Sequence, residues 1–221
     1  YRFVELFLSF LEQPPMLETE PVAGKYIVFE GISGTGKETQ ARKLESELEK
    51  RGIKTRLLFE PTPDIKPILR QWRGEVDDHL MELFLFTADR RRIMEKEVLP
   101  ALRAGEVVIG IRSYISTLVY EATTPQEEAL VSFLHTFVPD FDLIFWLDVS
   151  PEEVMARIER RHQEKAEPIG KFEKLARLRE DRERYQDALK RFNNVVKLDG
   201  EQSPEDIFQQ IIRVLGTRKI I

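Results

Sequence analysis

Three glycines and a lysine stand close together in the run Gly31-Ile-Ser-Gly-Thr-Gly-Lys37. Glycines let a backbone fold into a concave nest of N–H donors, and the lysine adds a full positive charge. Such a loop binds phosphate when it follows a strand and opens a helix, because the helix N-terminus contributes positive potential. The apolar run Tyr26–Glu30 precedes the loop, and a helix is predicted from about Gly36 to Arg51. The sequence therefore predicts a site for nucleotide phosphates.

The residue after the lysine departs from the usual pattern of such loops. Glu38 stands where serine or threonine normally offers a hydroxyl group to magnesium, and Thr39 comes one residue later. A carboxylate here would repel phosphates unless magnesium or a basic group screens it. Three arrangements stay open: Thr39 supplies the hydroxyl, the ion is held mainly through water, or Glu38 itself participates.

Strand and helix patterns alternate along most of the chain. Short apolar runs predict strands, which are Tyr26–Glu30, Lys54–Phe59, Glu106–Ile111, Leu143–Leu147 and Asn194–Leu198. Helical periodicity covers Asp78–Ala104, where Gly105 gives a stop signal, and further helices are predicted from Pro151 and over Pro204–Leu215. Strands separated by helices need parallel crossovers. The sequence therefore predicts a three-layer α/β fold, with a five-stranded parallel sheet flanked by helices.

Two segments lie outside this alternation. Residues 1–24 predict a short amphipathic helix and a proline-containing linker, which packs on the main domain, forms a dimer contact or stays mobile. The highly charged segment Glu159–Arg184 is either a solvated helical hairpin or a mobile lid that brings arginines onto phosphates. In the second interpretation a small helical lid covers about residues 159–172 and bends at Pro168-Ile169-Gly170. The main domain is predicted over residues 25–221.

Composition narrows the class of protein. A formal net charge of −5 and the lack of a basic-aromatic module argue against nucleic-acid binding. Because the 221 residues include no cysteine, disulfides, thiolate metal sites and a cysteine nucleophile are impossible. The apolar stretch Phe3–Leu11 is too short to span a bilayer and lacks the features of a secretory signal. We therefore expect a cytoplasmic protein with no membrane or nucleic-acid partner.

An ordered set of motifs between about Lys25 and Leu215 resembles the thymidylate kinases, a branch of the nucleoside monophosphate kinases. The motifs that carry the resemblance are, in chain order, Phe29–Gln40, Glu60-Pro61 followed by Arg70, Leu85–Arg90, Leu99–Ile109, Arg112, Pro139–Asp148 and Glu152–Arg161. The resemblance implies a P-loop NTPase fold, ATP and Mg²⁺ as cofactors, and transfer of the ATP γ-phosphoryl group to dTMP. It also implies a homodimer formed through the helices around Leu80–Ile93 and Ala129–Phe137.

The resemblance also implies roles for single residues. The ATP side comprises the loop, the two residues after it and lid arginines, namely Gly31, Ile32, Ser33, Gly34, Thr35, Gly36, Lys37, Glu38, Thr39, Arg160 and Arg161. The acceptor side comprises Glu60, Arg70, Phe86, Arg90, Arg112, Thr117 and Tyr120. The residues expected to act on the transferring group are Lys37, Arg112 and Arg157, and the metal candidates are Glu38, Thr39 and Glu60.

These roles agree with the chemistry of the side chains. Phe86 and Arg90 lie one helical turn apart, so one could stack on a base while the other hydrogen-bonds its edge. Arg70 and Arg112 suit an acceptor phosphate, because a guanidinium fork fits phosphate oxygens. Core packing for Phe86 and surface salt bridges for the arginines are the alternatives. The histidines are expected to be structural or solvent-facing, because they are widely spaced, at His79, His135 and His162.

Three positions depart from the family pattern. Ser33 replaces the acid usually found inside the loop, Ile111 replaces the aspartate of the Asp-Arg motif, and Ile115 falls where an acid or polar group is common. We hypothesise that the metal environment is rebuilt around Glu38 and Glu60. The alternatives are a weak or inactive kinase, a kinase for another nucleotide or nucleoside, and a nucleotide-binding protein that senses or assembles without turnover.

Overall fold

The structure, a computed structural model, describes residues 23–75, 78–165 and 173–221. The predicted N-terminal amphipathic helix and the predicted lid bend at Pro168-Ile169-Gly170 lie outside these ranges. Within them, one parallel sheet is formed by β1 (Lys25–Glu30), β2 (Thr55–Phe59), β3 (Val107–Ile111), β4 (Leu143–Asp148) and β5 (Val195–Asp199). Each predicted strand is confirmed to within one residue at either end.

The strand order is β2-β3-β1-β4-β5, so the first strand lies in the middle of the sheet. The inner strands β3 and β4 are buried throughout, and β1 is buried except at its first residue. This explains their nearly continuous apolar sequences, since both faces of a parallel sheet are covered by helices. The carboxyl ends of β1, β2 and β3 lie next to one another at one edge, which is where parallel sheets bind their ligands.

Helices cover both faces of the sheet. In chain order they are α1 (Lys37–Lys50), α2 (Lys66–Glu75), α3 (His79–Ile93), a π-helical turn (Met94–Val98), α4 (Leu99–Arg103), α5 (Tyr114–Tyr120), α6 (Pro125–Leu134), α7 (Pro151–Lys165), α8 (Leu175–Leu189) and α9 (Pro204–Thr217). The helical run predicted over Asp78–Ala104 is confirmed, and it ends at Gly105 with a φ of +77°. Among the described residues, none of these helices has both the length and the apolar character to cross a membrane.

The two faces of the sheet carry separate hydrophobic cores. Ile27 and Phe29 of β1 pack with apolar side chains of α1 and α9 on one face. Tyr26 and Val28 point the other way and pack with side chains of α4, α5, α7 and α8. This alternation follows from the period of two in a strand. The predicted three-layer α/β arrangement is confirmed.

Candidate active site

The loop between β1 and α1 has the backbone shape that its glycines predict. Gly31, Gly34 and Gly36 have φ angles of +141°, +78° and +92°, a region that residues with a side chain rarely adopt. A Cβ atom added at Gly31 would lie 2.7 Å from the backbone oxygen of Leu147. The glycines therefore allow both the turn and the close approach of the loop to β4.

Lys37 is the first residue of α1, and its side chain turns back over the loop. Its Nζ donates to the backbone oxygens of Gly31 at 2.8 Å and Ile32 at 2.5 Å, and lies 3.3 Å from Oγ1 of Thr35. Burial, helped by the nearby charge of Arg112, lowers the pKa of Lys37 well below its ordinary value. An anion in the loop would stabilise this poorly solvated ammonium group.

A cavity of about 420 Å³ opens beside the loop at the carboxyl edge of the sheet. The residues that line it are Ser33, Glu60, Pro61, Arg73, Phe86, Arg90, Arg112, Ser113, Ser116, Thr117, Tyr120, Glu121, Arg161 and Glu173. Four of them are arginines and two are aromatic, which suits a ligand with a flat ring and a phosphate group. Ser33 belongs to the loop, so loop and cavity are continuous.

Six of the seven residues predicted for the acceptor side line this cavity, namely Glu60, Phe86, Arg90, Arg112, Thr117 and Tyr120. Arg70 does not line it. This residue is exposed on α2, whereas Arg73, one turn further along the same helix, lies in the cavity wall. Arg73 is paired with the buried carboxylate of Glu82 on α3. The role predicted for Arg70 stays a prediction, and Arg73 is a cavity arginine that the sequence analysis missed.

Arg90 is held on several sides by buried partners. Its Nε and Nη2 atoms each lie 2.5 Å from Oε2 of Glu60, and Nη1 donates to Oγ1 of Thr117 at 3.2 Å. Nη1 also lies 2.6 Å from Nε2 of His135. Burial raises the pKa of Glu60, although the Arg90 charge opposes that rise. Glu60 therefore acts in this structure as the ion-pair partner of Arg90.

Arg112 follows β3 and has an unusual backbone. Its φ is +70°, a left-handed conformation that is rare for residues other than glycine and is typical of functional sites. Its Nη1 donates to Oγ of Ser116 at 3.2 Å and to the hydroxyl of Tyr185 at 3.3 Å. Its guanidinium carbon lies 5.1 Å from the centre of the Tyr120 ring. This strained turn directs Arg112 into the cavity.

Glu30 ends β1 immediately before the phosphate loop and is fully buried. It accepts hydrogen bonds from Ser113 at 2.7 Å, Ser116 at 2.8 Å and the Tyr185 hydroxyl at 2.9 Å. Ser116 and Tyr185 also accept from Arg112, so Glu30 connects the loop to that arginine through two hydroxyl groups. No role was predicted for Glu30 from the sequence. A charged residue at the end of a buried apolar run is the signal that would have found it.

Glu173, just before α8, brings a second carboxylate to the loop. Its Oε1 atom accepts from Oγ of Ser33 at 2.8 Å and from Nη2 of Arg161 at 2.8 Å. The side chain is largely buried and lines the cavity. A carboxylate therefore reaches Ser33, the position where the resemblance implies an acid, but from a residue 140 positions away in sequence.

A family model described as thymidylate kinase matches residues 29–211. The chain belongs to the thymidylate kinase family. It is similar to a probable thymidylate kinase of Thermococcus kodakarensis, with 34% identity over 87% of this chain and 97% of the relative. A probable thymidylate kinase of Methanosphaera stadtmanae is 32% identical over 85% of this chain and 95% of the relative. A thymidylate kinase of Leptospira borgpetersenii is 31% identical over 86% of this chain and 92% of the relative.

The three metal candidates are not brought together in this member of the thymidylate kinase family. Glu38 is exposed on the first turn of α1 and accepts from Nε of Arg42 at 2.9 Å, and Thr39 is also exposed. Glu60 is paired with Arg90. In the described part of the chain, no group of three or more His, Asp or Glu side chains is arranged to hold a metal ion.

The arginines of α7 fall into different environments. Arg161 lines the cavity, whereas Arg160 is exposed. Arg157 bonds to Oε1 of Glu153 at 2.7 Å and to the backbone oxygen of Gly200 at 3.0 Å. The cavity thus includes one of the three predicted arginines of this helix. The roles predicted for Arg157 and Arg160 stay predictions.

The three histidines also differ. His79 is partly exposed and its Nε2 lies 2.8 Å from Oε1 of Glu127, and His162 is exposed. His135 is buried against Arg90, behind the cavity wall. His135 was expected to be structural or solvent-facing, because the histidines are widely spaced, and its contact with Arg90 joins residues 45 positions apart in sequence.

Proposed function

We propose that this protein transfers the γ-phosphoryl group of ATP to dTMP, giving ADP and dTDP. The observation that carries the proposal is the continuity of the phosphate loop with the cavity, through Ser33. Direct transfer requires a donor phosphate in the loop and an acceptor phosphate beside the cavity arginines to meet, and this continuity provides the path. The relatives named above are thymidylate kinases or probable thymidylate kinases.

The loop would hold the donor. Backbone N–H groups of the glycine-rich turn and Nζ of Lys37 would bind the ATP phosphates. Lys37 would then exchange its bonds with the carbonyls of Gly31 and Ile32 for bonds with phosphate oxygens. An oxygen of the acceptor phosphate attacks the γ-phosphorus as the bond to the ADP oxygen breaks. Such a reaction depends on position and charge neutralisation rather than on covalent chemistry by the protein.

The cavity would hold the acceptor. Phe86 is partly buried in the wall and would stack on the pyrimidine ring, while Arg90 faces the base edge. Arg112 would hold the acceptor phosphate, since it lies beside the loop and carries its full charge. Arg73 joins it as a second candidate, in addition to the predicted Arg70. Thr117 and Tyr120 would line the base and the sugar.

Magnesium would supply charge neutralisation on the ATP phosphates. Mg²⁺ usually keeps several waters and takes only one or two protein ligands alongside phosphates, so a dedicated cluster is not required. Thr39 and Glu38 are exposed at the start of α1 and fit that role. Glu60 fits less well, because its carboxylate already neutralises Arg90. We therefore favour an ion held by phosphate oxygens and water, with Thr39 or Glu38 as its protein ligand.

The proposed assembly is a homodimer through α3 and α6. Phe84 on α3 is 54% exposed, more than any other large apolar side chain in the described part of the chain. Ala88, one turn further along, and Ala129 on α6 are exposed as well. Sedimentation of the wild type and of Phe84→Glu tests this, with a dimer expected for the wild type and a monomer for the variant.

A cytoplasmic location stays a prediction from composition.

An acceptor panel tests the activity. Purified protein with ATP and Mg²⁺ is given dTMP, dUMP, UMP, CMP, AMP or thymidine, and ADP formation is measured. We expect dTMP to have the highest kcat/KM. Phosphorylation of another acceptor but not of dTMP would contradict dTMP as the substrate, while kinase activity itself would be confirmed. ATP binding without turnover of any acceptor would favour the nucleotide-binding alternative.

A further inference from the structure

His135 lies directly behind Arg90, and the proposed reaction gives it no role. The residue follows the last residue of α6, and its side chain is almost completely buried. Its Nε2 atom is 2.6 Å from Nη1 of Arg90, on the side of the guanidinium that Glu60 does not contact. A buried imidazole in contact with a cavity arginine needs a physical explanation.

The hydrogen bonds fix which ring nitrogen carries the proton. Nδ1 lies 2.7 Å from the backbone oxygen of Val131, and because that oxygen can only accept, Nδ1 donates. A guanidinium can only donate, so Nε2 accepts from Arg90. The imidazole is therefore neutral, with its proton on Nδ1. Burial and the adjacent Arg90 charge lower the pKa of His135 to about 3, in agreement with this assignment.

Aromatic neighbours fix the plane of the ring. The Tyr114 ring stacks on His135 with 5.5 Å between centroids and an interplanar angle of 14°. Phe137 lies on it at 5.8 Å with a tilt of 36°. Stacking and the bond to Val131 together leave the imidazole one orientation, in which Nε2 points at Arg90. Glu60 and His135 therefore hold the guanidinium from two sides.

We infer that His135 is a positioning residue for acceptor selection, which together with Glu60 holds Arg90 in the one orientation that turns a remaining N–H donor of its guanidinium toward the base. The inference rests on the proposed function, in which Arg90 faces that base. Donors pair with a carbonyl oxygen on the base edge, whereas an amino group there leaves donors unpaired. By keeping the Arg90 donors in that orientation, His135 therefore favours thymine or uracil, which offer a carbonyl oxygen, over cytosine, which offers an amino group.

Two amide substitutions separate positioning from packing. His135→Gln places an amide oxygen at about the reach of Nε2, so it keeps an acceptor for Arg90 and loses the donor to Val131. His135→Asn keeps a donor near Val131 but ends short of Arg90. His79→Gln is the matched control, because His79 is a partly exposed histidine paired with Glu127, away from the cavity. Thermal melting establishes that each variant is folded at the assay temperature.

Binding of dTMP and dCMP is measured by calorimetry, alongside kcat and KM. We expect His135→Asn to weaken dTMP binding by roughly 10- to 100-fold, as for a lost hydrogen bond to a charged group. The preference for dTMP over dCMP falls with it, while the KM for ATP and kcat change by less than about 3-fold. His135→Gln and His79→Gln stay close to the wild type. Equal dTMP affinity and equal preference in the Asn and Gln variants would overturn the inference.

A spectroscopic measurement tests the same claim without any variant. The ¹⁵N shifts of the His135 imidazole report its tautomer and charge in the free protein. We expect the Nδ1–H form with no titration between pH 5 and 8. A proton on Nε2, or a titration in that range, would overturn the placement of His135 behind Arg90. If the wild type phosphorylates no nucleotide, the proposed function fails, while calorimetry and the ¹⁵N shifts still decide this inference.

Discussion

The phosphate loop and the acceptor cavity meet at Ser33 but are constructed differently. In the loop, Lys37 bonds to carbonyls of residues only five and six positions before it. In the cavity, Arg90 bonds to Glu60 across 30 positions and to His135 across 45. A site made of consecutive residues can be recognised from the amino-acid sequence. A site made of paired side chains from distant elements becomes visible only when the chain has folded.

The largest effect is expected in the loop, at Lys37. Lys37→Met removes the charge within the loop that can follow the transferring phosphoryl group, so we expect kcat to fall by roughly 100- to 1,000-fold. Binding of dTMP, measured by calorimetry, stays within about 3-fold, because the cavity side chains are untouched. A variant that retains kcat but loses dTMP affinity would contradict the assignment of ATP to the loop and of dTMP to the cavity.

A substitution at Glu60 tests the cavity as Lys37→Met tests the loop. Glu60→Gln leaves the buried Arg90 without its carboxylate partner, so we expect the KM for dTMP to rise about 10-fold or more and the melting temperature to fall. The KM for ATP should stay unchanged. Glu95→Gln, which breaks an exposed pair with Arg91, is the control. An increase in the Mg²⁺ concentration needed for activity, with dTMP binding intact, would instead identify Glu60 as a metal ligand.

The contact between Ser33 and Glu173 joins the two regions. Glu173→Gln weakens the bonds to Ser33 and Arg161, and we expect kcat/KM for dTMP to fall about 10-fold. Adding Ser33→Asp returns a carboxylate to the same place from the loop side, so the double variant should recover most of that loss. Glu180→Gln on the outer face of α8 is the control. A double variant no better than Glu173→Gln alone would refute the replacement of the loop acid by Glu173.

The smallest effect is expected at Glu38. Its carboxylate is exposed and pairs with Arg42 one turn along α1, so Glu38→Ser should change the free energy of unfolding by less than about 0.5 kcal/mol. If the ion is held mainly by phosphate oxygens and water, kcat changes by less than about 5-fold. A loss near that of Lys37→Met, rescued by higher Mg²⁺, would show that Glu38 is a metal ligand.

The fold was largely predictable, for physical reasons. The inner strands of a parallel sheet are buried on both faces, so they appear in the sequence as apolar runs. The long helical run before Gly105 was equally clear, because that glycine has the left-handed backbone of a helix stop. The helices α2 and α5 were not predicted, since they are too short to show a clear helical period.

The site was predictable only in part. Residues within recognised motifs, such as Phe86 and Arg90, do line the cavity. Arg73 was not predicted, because the sequence does not reveal which face of this helix meets the cavity, and the role of Arg70 stays a prediction. Glu173 and His135 were missed because their partners, Ser33 and Arg90, lie far away in sequence.

Phosphoryl transfer from the loop to the cavity is tested most directly by the dependence of ADP formation on dTMP. ADP and dTDP are measured together in a reaction of wild-type protein, ATP and Mg²⁺, with and without dTMP. Transfer between loop and cavity gives equal amounts of ADP and dTDP when dTMP is present, and almost no ADP without it. ADP formation at the same rate without dTMP, or no ADP in either reaction, would contradict a phosphoryl transfer between loop and cavity.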